Sequence, residues 1–498
     1  MRYIDYVQLN PFQKMGYNLK TFFENLPKNV ARFFKFLGRK LAAFFCAIGR
    51  GFKNYGIGFV KGDWSTKVSY LIMGTGCMFK GQVIKGLLYL AVEVGYIFYM
   101  VSFAWQYLSK FFTLGTTAVV RVMDYNTGVE TVHAGDNSML ILLYSVMAIF
   151  ITAGFLALYI SNIKASLKLE EIRSKGKKPM TFVEDVKNLL DQRFHVTLLS
   201  LPTILVCIFT VLPLIFMILI AFTNYDSAHQ PPSKLFEWIG FGNFADVFFD
   251  EPRKALTFQN LVVWTLVWAV LATVTNYIFG MIFALMINKK GIKFKSFFRT
   301  MFVMTIAVPQ FVTLLLMGQI LSNSGVMNVL LQQLGLTTEP IQFLSGNALI
   351  ARTTVVIVNM WIGIPYTILI TSGILMNIPE ELYESARIDG AGPVTTFFKI
   401  TMPYMLFVTT PYLITQFVGN INNFNVIFFL TGGGPMNSRY YNAGDTDLLV
   451  TWLYKLTMDK NDYSLAATIG ILVFVICATV SLLTFNLSKS SRNEEEFS

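Results

Sequence analysis

Pro379-Glu380-Glu381-Leu382-Tyr383-Glu384-Ser385-Ala386-Arg387-Ile388-Asp389-Gly390-Ala391-Gly392-Pro393 stands between two long apolar segments. Pro379 suits a first helical turn, Glu380, Glu381 and Glu384 suit its positive end, and Gly390 suits a C-terminal stop. The stretch Val394-Thr395-Thr396-Phe397-Phe398-Lys399-Ile400-Thr401 follows, and Met402-Pro403 leads into the next apolar segment. A helix, a glycine break and a second short helix form an elbow that a partner protein can grip and move as one body. From these residues alone, an ordinary loop on a membrane surface is the other reading.

The rest of the chain makes that membrane explicit. Of 498 residues, 54% are hydrophobic and 14% charged, against about 25% charged in soluble domains. Spanning an apolar layer of about 30 Å takes roughly 20 apolar residues. Eight segments meet that length, over 84–106, 139–162, 197–222, 259–288, 298–322, 352–374, 404–430 and 467–488. The fold class is therefore all-α, a polytopic membrane protein of about eight transmembrane helices.

The formal charge of +11 is read against this topology. Lys164, Lys168, Arg173, Lys175, Lys177, Lys178, Lys187 and Arg193 crowd the connection after the second segment, and Lys289, Lys290, Lys293, Lys295 and Arg299 the one after the fourth. Residues 323–351, on the opposite side, contain no Lys or Arg. Basic residues gather in the cytoplasm, so both termini and the elbow are expected there. A soluble basic module for nucleic acid is missing.

The expected division is a basic, interfacial N-terminal region over 1–82, three spans with their loops over 83–222, and a short extracytoplasmic loop over 223–258. A permease core over 259–488 contains the elbow at 379–403, and a cytoplasmic tail occupies 489–498. Within the first region, Val30 to Leu41 places Phe residues beside Arg32, Lys35, Arg39 and Lys40 at helical spacing. Such a helix can lie on membrane lipid or pack on the protein's own helices.

Other chemistry finds little support. Cys46, Cys77, Cys207 and Cys477, like His133, His195 and His229, are too scattered for a metal site. No catalytic residues stand out, and no G-x-x-x-x-G-K-[ST] loop is present to hold a nucleotide. In the seventh segment, Gln416, Asn420, Asn422, Asn423 and Asn425 interrupt an apolar run. Amides there need partners, in a polar cavity or as hydrogen-bonding glue between helices. Asn420 and Asn423 share a helix face, with Asn422 pointing elsewhere. Glu93 is expected to be a helix-contact residue, and Trp361 to be packed.

Glu384-Ser385-Ala386, Asp389-Gly390-Ala391, Ile400 and Pro403 resemble the EAA-loop signature of bacterial ABC-importer permeases, with Ser385 where Ala is usual. From about 259 to 488 the chain is similar to maltose/maltodextrin (MalF-like) permease subunits, notably at Trp361-Ile362-Gly363-Ile364-Pro365-Tyr366, Asn420-Ile421-Asn422-Asn423-Phe424, Gly433-Gly434-Pro435, Thr446-Asp447-Leu448-Leu449-Val450 and Asp462-Tyr463-Ser464-Leu465-Ala466-Ala467.

The resemblance implies a type I ABC-importer permease fold and no enzyme activity in this chain, with ATP and Mg bound by a partner. It implies docking on that ATPase through Glu384, Ser385, Ala386, Asp389, Gly390, Ile400 and Pro403. It also implies a sugar site at Ile306, Gln310, Asn359, Ile362, Gly363, Tyr366, Gly419, Asn420 and Asn423. At four of these the family member has Tyr for Ile306, Ser for Gln310, Leu for Ile362 and Phe for Gly419, so aromatic stacking surface is lost here. The implied partners are a second homologous (MalG-like) permease, two ATP-binding subunits and an extracytoplasmic sugar-binding protein.

The expected function is import of maltose, maltodextrin or a related oligosaccharide across a bacterial plasma membrane. A loop as short as 223–258, with no room for a folded domain, is a feature of Gram-positive members. An ion-gradient-driven sugar transporter, a permease for another solute such as glycerol phosphate, and a non-transporting scaffold are the alternatives.

Overall fold

Every apolar segment expected to cross the membrane is helical in the computed structural model, which describes residues 55–123, 130–133, 135–289 and 291–487 with isolated positions between 35 and 53. Six helices are long and apolar enough to span alone: Val83–Leu108, Ser138–Ser174, Phe194–Ile220, Pro252–Asn288, Ala348–Leu375 and Tyr463–Leu482. Two bent pairs, Lys295–Ile306 with Gln310–Ile320 at 87° and Pro393–Ile421 with Phe424–Thr431 at 42°, bring the number among the described residues up to eight if each is counted as one span. The segments are numbered below in chain order with each pair counted as one. The second and fourth, 37 residues each, reach about 55 Å at 1.5 Å per residue, so they project beyond an apolar layer of about 30 Å. The amphipathic stretch from Val30 to Leu41, apart from Lys35, Gly38, Arg39 and Lys40, and the tail from Lys489 lie outside the described residues.

The chain divides into two compact units, Met1–Trp105 with Met147–Val206, and Gln106–Val146 with Cys207–Ser498. In the first unit, short helices Trp64–Val68 and Thr75–Met78 precede the first span. The Asn162 side chain holds them: its Oδ1 accepts from Gly74 N–H at 3.0 Å and its Nδ2 donates to the Ser69 carbonyl at 3.2 Å. Gly74 has φ +85°, and a Cβ there would lie 1.9 Å from the Gly86 carbonyl oxygen, so only glycine fits.

Lys80 is 1% exposed and lies 3.1 Å from Asp63 and 3.4 Å from Glu170. Burial of Asp63 works against its ionisation, but bonds from the Thr66 hydroxyl and N–H, from Lys80 and from Ser65 outweigh it, and its pKa falls to about 2. Glu93, expected to contact another helix, instead accepts from Met73 N–H at 2.8 Å, in the turn between the helices Trp64–Val68 and Thr75–Met78.

Besides its helices and loops, the second unit holds an antiparallel ribbon of Val120–Met123 against Glu130–His133, with Val120 opposite His133. Its interior has two main apolar clusters. One joins Leu261 and Ala269 of the fourth span to Trp452, Leu456, Leu465 and Ile469. The other joins Trp264, Trp268 and Ala272 to Val355 and Val358 of the sixth span and to Val426 and Leu430.

The 223–258 segment contains the short helical stretches Gly242–Ala245 and Asp246–Asp250, after which the fourth span starts at Pro252. Trp361 departs from expectation: it is 61% exposed and borders an apolar groove with Phe283, Phe302 and Met360. It sits on an outward helix face rather than in a core.

The elbow begins as read, with helix Glu380–Ile388 ended by Gly390 at φ +73°. The second part differs. Pro393–Ile421 runs as one helix, with a π turn at Phe397–Thr401, so the stretch expected as a separate short helix is the first part of the seventh span. Pro403 is tolerated there because it falls immediately after that π turn, at the start of the α-helical part.

Candidate functional site

Helical spacing gathers polar groups from four spans of the second unit onto one cavity of about 310 Å³. From the fourth span come Thr273, Asn276 and Tyr277, at i, i+3 and i+4. The sixth supplies Asn359, Ile362, Gly363, Tyr366, Thr367 and Ile370, again a single helix stripe. Tyr412, Leu413, Gln416, Asn420 and Asn423 come from the seventh, and Gln310 from the fifth. No Asp, Glu, Lys, Arg or His belongs to this lining. Its polar chemistry is that of carboxamides and hydroxyls beside tyrosine rings. Such a surface hydrogen-bonds neutral hydroxylated molecules and offers no counter-ion to a charged one.

Two bends aim the amides. Proline disfavours helix at the preceding residue, so Pro309 breaks the fifth span after Ile306, and Gln310 opens the second half. The seventh span breaks at Asn422, where Asn423 caps the following helix through Val426 N–H at 3.4 Å. Asn420 and Asn423 thus meet across a break rather than along one helix. Asn423 Nδ2 donates to Asn420 Oδ1 at 3.2 Å, and Asn420 Nδ2 donates to Thr273 Oγ1 at 3.0 Å. Trp268 Nε1 fixes the same turn through the Asn420 carbonyl at 3.1 Å. Asn422 points elsewhere, toward Cys477 Sγ at 3.5 Å. Asn425 donates to Gln310 Oε1 at 3.2 Å, tying the fifth span to the seventh.

Of the nine residues singled out in the sequence, Gln310, Asn359, Ile362, Gly363, Tyr366, Asn420 and Asn423 line this cavity. Ile306 and Gly419 are not among its walls. Ile306 ends the helix before the Pro309 bend. Gly419 has no side chain to contribute, and a Cβ there would meet nothing within 4 Å. Gly363 has a steric reason to be glycine, since its Cβ would fall 2.1 Å from Asn276 Nδ2. The fourth-span residues Thr273, Asn276 and Tyr277 were not singled out, nor was Tyr412. Thr273 and Asn276, polar and three apart in an apolar run, were the available signal.

Of the elbow residues, Glu384, Ser385, Ala386, Asp389 and Gly390 lie between the sixth and seventh spans, and Ile400 and Pro403 in the first part of the seventh. Glu384 and Ser385 are exposed while Ala386 is buried, and Leu382, Ile388, Val394 and Phe398 leave large apolar surfaces uncovered. Tyr383 hydroxyl pairs with Thr401 Oγ1 at 3.1 Å. Inward, Tyr383 and Phe397 pack on a cluster of Tyr277, Met281, Ile378 and Met405, and the Tyr277 hydroxyl pairs with Thr409 at 2.8 Å. Tyr277 is also a cavity wall, so one packed cluster touches both elbow and cavity.

A further motif shared with the resembling family proves structural. Asp447 is fully buried and pairs with Lys455 at 2.6 Å. It also accepts from Gly444 N–H at 2.7 Å and Thr451 Oγ1 at 2.8 Å. Burial pushes its carboxyl above the ordinary value, against the pull of Lys455 and these donors. Gly433, at φ +83°, leaves room for that carboxylate, which a Cβ would approach to 2.0 Å.

Comparison with known proteins supports the same reading. Residues 276–493 match the family described as binding-protein-dependent transport system inner membrane component. The galactooligosaccharides transport system permease protein GanP of Bacillus subtilis (strain 168) is 34% identical over 427 residues, covering 85% of this chain and 97% of that protein. The maltodextrin transport system permease protein MdxF of the same organism is 34% identical over 432 residues, covering 85% and 95%. A crystal structure of a bacterial alginate ABC transporter, in complex with an alginate pentasaccharide-bound periplasmic protein, matches in fold, with TM-score 0.50 and 22% identity over 62% of this chain and 97% of that one. By these matches, and with its long apolar helices, this chain belongs to the binding-protein-dependent inner membrane components, the permease subunits of ABC importers.

Proposed function

We propose that this permease carries a neutral oligosaccharide, a maltodextrin or a related sugar such as a galactooligosaccharide, through the cavity between its fourth, fifth, sixth and seventh spans. The observation that carries this reading is the uncharged lining of amides, hydroxyls and tyrosines. The galactooligosaccharide and maltodextrin permeases of Bacillus subtilis to which the chain is similar agree with it. The same lining argues against glycerol phosphate, whose charge would find no cation there, and its lack of ionisable groups weighs against a carrier that couples through them.

ATP and Mg²⁺ are held by two partner ATPases, a second permease completes the pathway, and an extracytoplasmic binding protein delivers the sugar. Both termini face the cytoplasm of a Gram-positive plasma membrane, which puts the elbow on the ATPase side. Glu384, Ser385, Ala386, Asp389, Gly390, Ile400 and Pro403 form or support the docking surface. Movement of the elbow reaches the cavity through Tyr383 and Tyr277, which share one apolar cluster. Nucleotide binding then favours one of two arrangements of the bundle and hydrolysis the other.

Asn420→Leu with Asn423→Leu tests the site. The pair is expected to reduce sugar-stimulated ATPase activity of the reconstituted assembly about tenfold or more, the loss of one or two hydrogen bonds of about 1 kcal/mol each, while the subunits still co-purify. Full stimulation by sugar in the double variant would remove the cavity from the pathway.

A further inference from the structure

Two polar atoms of the cavity wall stand apart from the rest. Asn276 Oδ1 and Asn359 Nδ2 are both buried and have no hydrogen-bond partner among the described residues. Asn359 is 4% exposed. The other cavity asparagines are engaged, Asn420 with Thr273 and Asn423 with Asn420. Buried amide atoms are nearly always satisfied, so an unpaired acceptor and an unpaired donor on two residues that line one cavity mark a place where a small turn of each amide would meet a bound group.

Their placement is specific. Gly363 follows Asn359 by one helical turn, on the same face. The Asn276 carboxamide is seated against Gly363, with its Nδ2 2.1 Å from where a Cβ would be. The fourth span therefore presents an acceptor one turn from a donor of the sixth. Of the common ligand groups, a hydroxyl both donates and accepts. A carboxylate satisfies the donor and is repelled by the acceptor, an ammonium does the reverse, and an apolar group satisfies neither.

We propose that Asn276 is a specificity-determining residue of this cavity: its carboxamide oxygen takes the hydrogen of a sugar hydroxyl whose neighbouring oxygen is held by Asn359 Nδ2. The inference rests on the reading of the cavity as a path for neutral oligosaccharides and adds a fourth-span contact to it. Gly363 is needed because any side chain there would occupy the space of the Asn276 amide.

The test uses the complete assembly in proteoliposomes with ATP. The probes are maltotriose and a galactosyl trisaccharide, whichever is taken up faster, and monodeoxyfluoro analogues of that sugar. Fluorine is small and cannot donate, so each analogue deletes one hydroxyl hydrogen. The unsubstituted assembly is expected to discriminate about tenfold against one analogue. Asn276→Leu should lower uptake of the parent sugar about tenfold and take up that analogue as well as the parent. Asn420→Leu should lower uptake of both and preserve the discrimination. The binding protein is the same throughout, so its own selectivity cancels.

If Asn276→Leu discriminates among all analogues as the unsubstituted assembly does, the proposed contact is absent while the cavity reading stands. If neither trisaccharide enters in the unsubstituted assembly, the cavity reading fails and this contact with it. Asn276→Ala provides the same ratio should the leucine variant not assemble.

Discussion

Glu384→Lys is expected to reduce ATP-driven uptake about a hundredfold and to release the ATPase from the purified complex, since truncation or mismatch at a buried interfacial charge costs about 2–5 kcal/mol. The carboxylate lies in the middle of helix Glu380–Ile388 and is exposed. Around it, Leu382 and Ile388 of the same helix, with Val394 and Phe398 at the start of the seventh span, are uncovered. This mixed surface, apolar with a few acids, is the one that the proposed docking on a partner ATPase would cover. Folding should survive, because the inward anchors of the elbow are Tyr383, Ala386 and Phe397 rather than Glu384. Glu384→Gln separates charge from shape and should retain partial coupling. Co-purification of the ATPase at the original yield, with normal uptake in Glu384→Lys, would remove the elbow from its assigned role.

The second large effect is on stability. Lys455→Met should destabilise the chain by about 3–5 kcal/mol, because removing one member of a buried ion pair strands the other. Asp447 is fully buried, and with the cation gone its carboxyl must stay charged without Lys455 or take up a proton and lose an acceptor site for Gly444 or Thr451. Lys455→Met combined with Asp447→Asn removes the stranded charge and should recover a large part of the loss. Thermal unfolding of the purified complex measures both. Equal destabilisation in the single and double variants would show that packing, rather than charge, dominates this loop.

The long apolar helices were legible because a bilayer imposes a length and a polarity that composition alone reveals, while the two bent pairs gave no sign of their breaks in apolarity alone. The elbow was legible because Pro379, the acids after it and Gly390 each do a local job in a short helix. Its second half was not, because proline soon after a helix start is equally compatible with a new helix and with a continuing one, and Pro403 falls in the continuing case.

In the cavity, Gln310, Asn359, Ile362, Gly363, Tyr366, Gln416, Asn420 and Asn423 of the fifth, sixth and seventh spans emerged from amide clustering and from resemblance, whereas Tyr412 did not. Those of the fourth did not. A helix that is apolar all round shows no preferred face, and Thr273 and Asn276 look like interhelical glue until the packing against Gly363 is known. The buried Asp447–Lys455 pair was hidden for a related reason: its partners are eight residues apart, and a loop wraps them together. The Lys80 site joins residues about 90 positions apart in sequence, beyond any local pattern.

The most direct test of the central claim is sugar uptake by proteoliposomes holding the full assembly, with ATP trapped on the ATPase side and the proton and sodium gradients collapsed by ionophores. Uptake of a neutral oligosaccharide should continue under these conditions and stop when ATP is withdrawn. Uptake that ends with the gradients, whatever the ATP, would contradict the account.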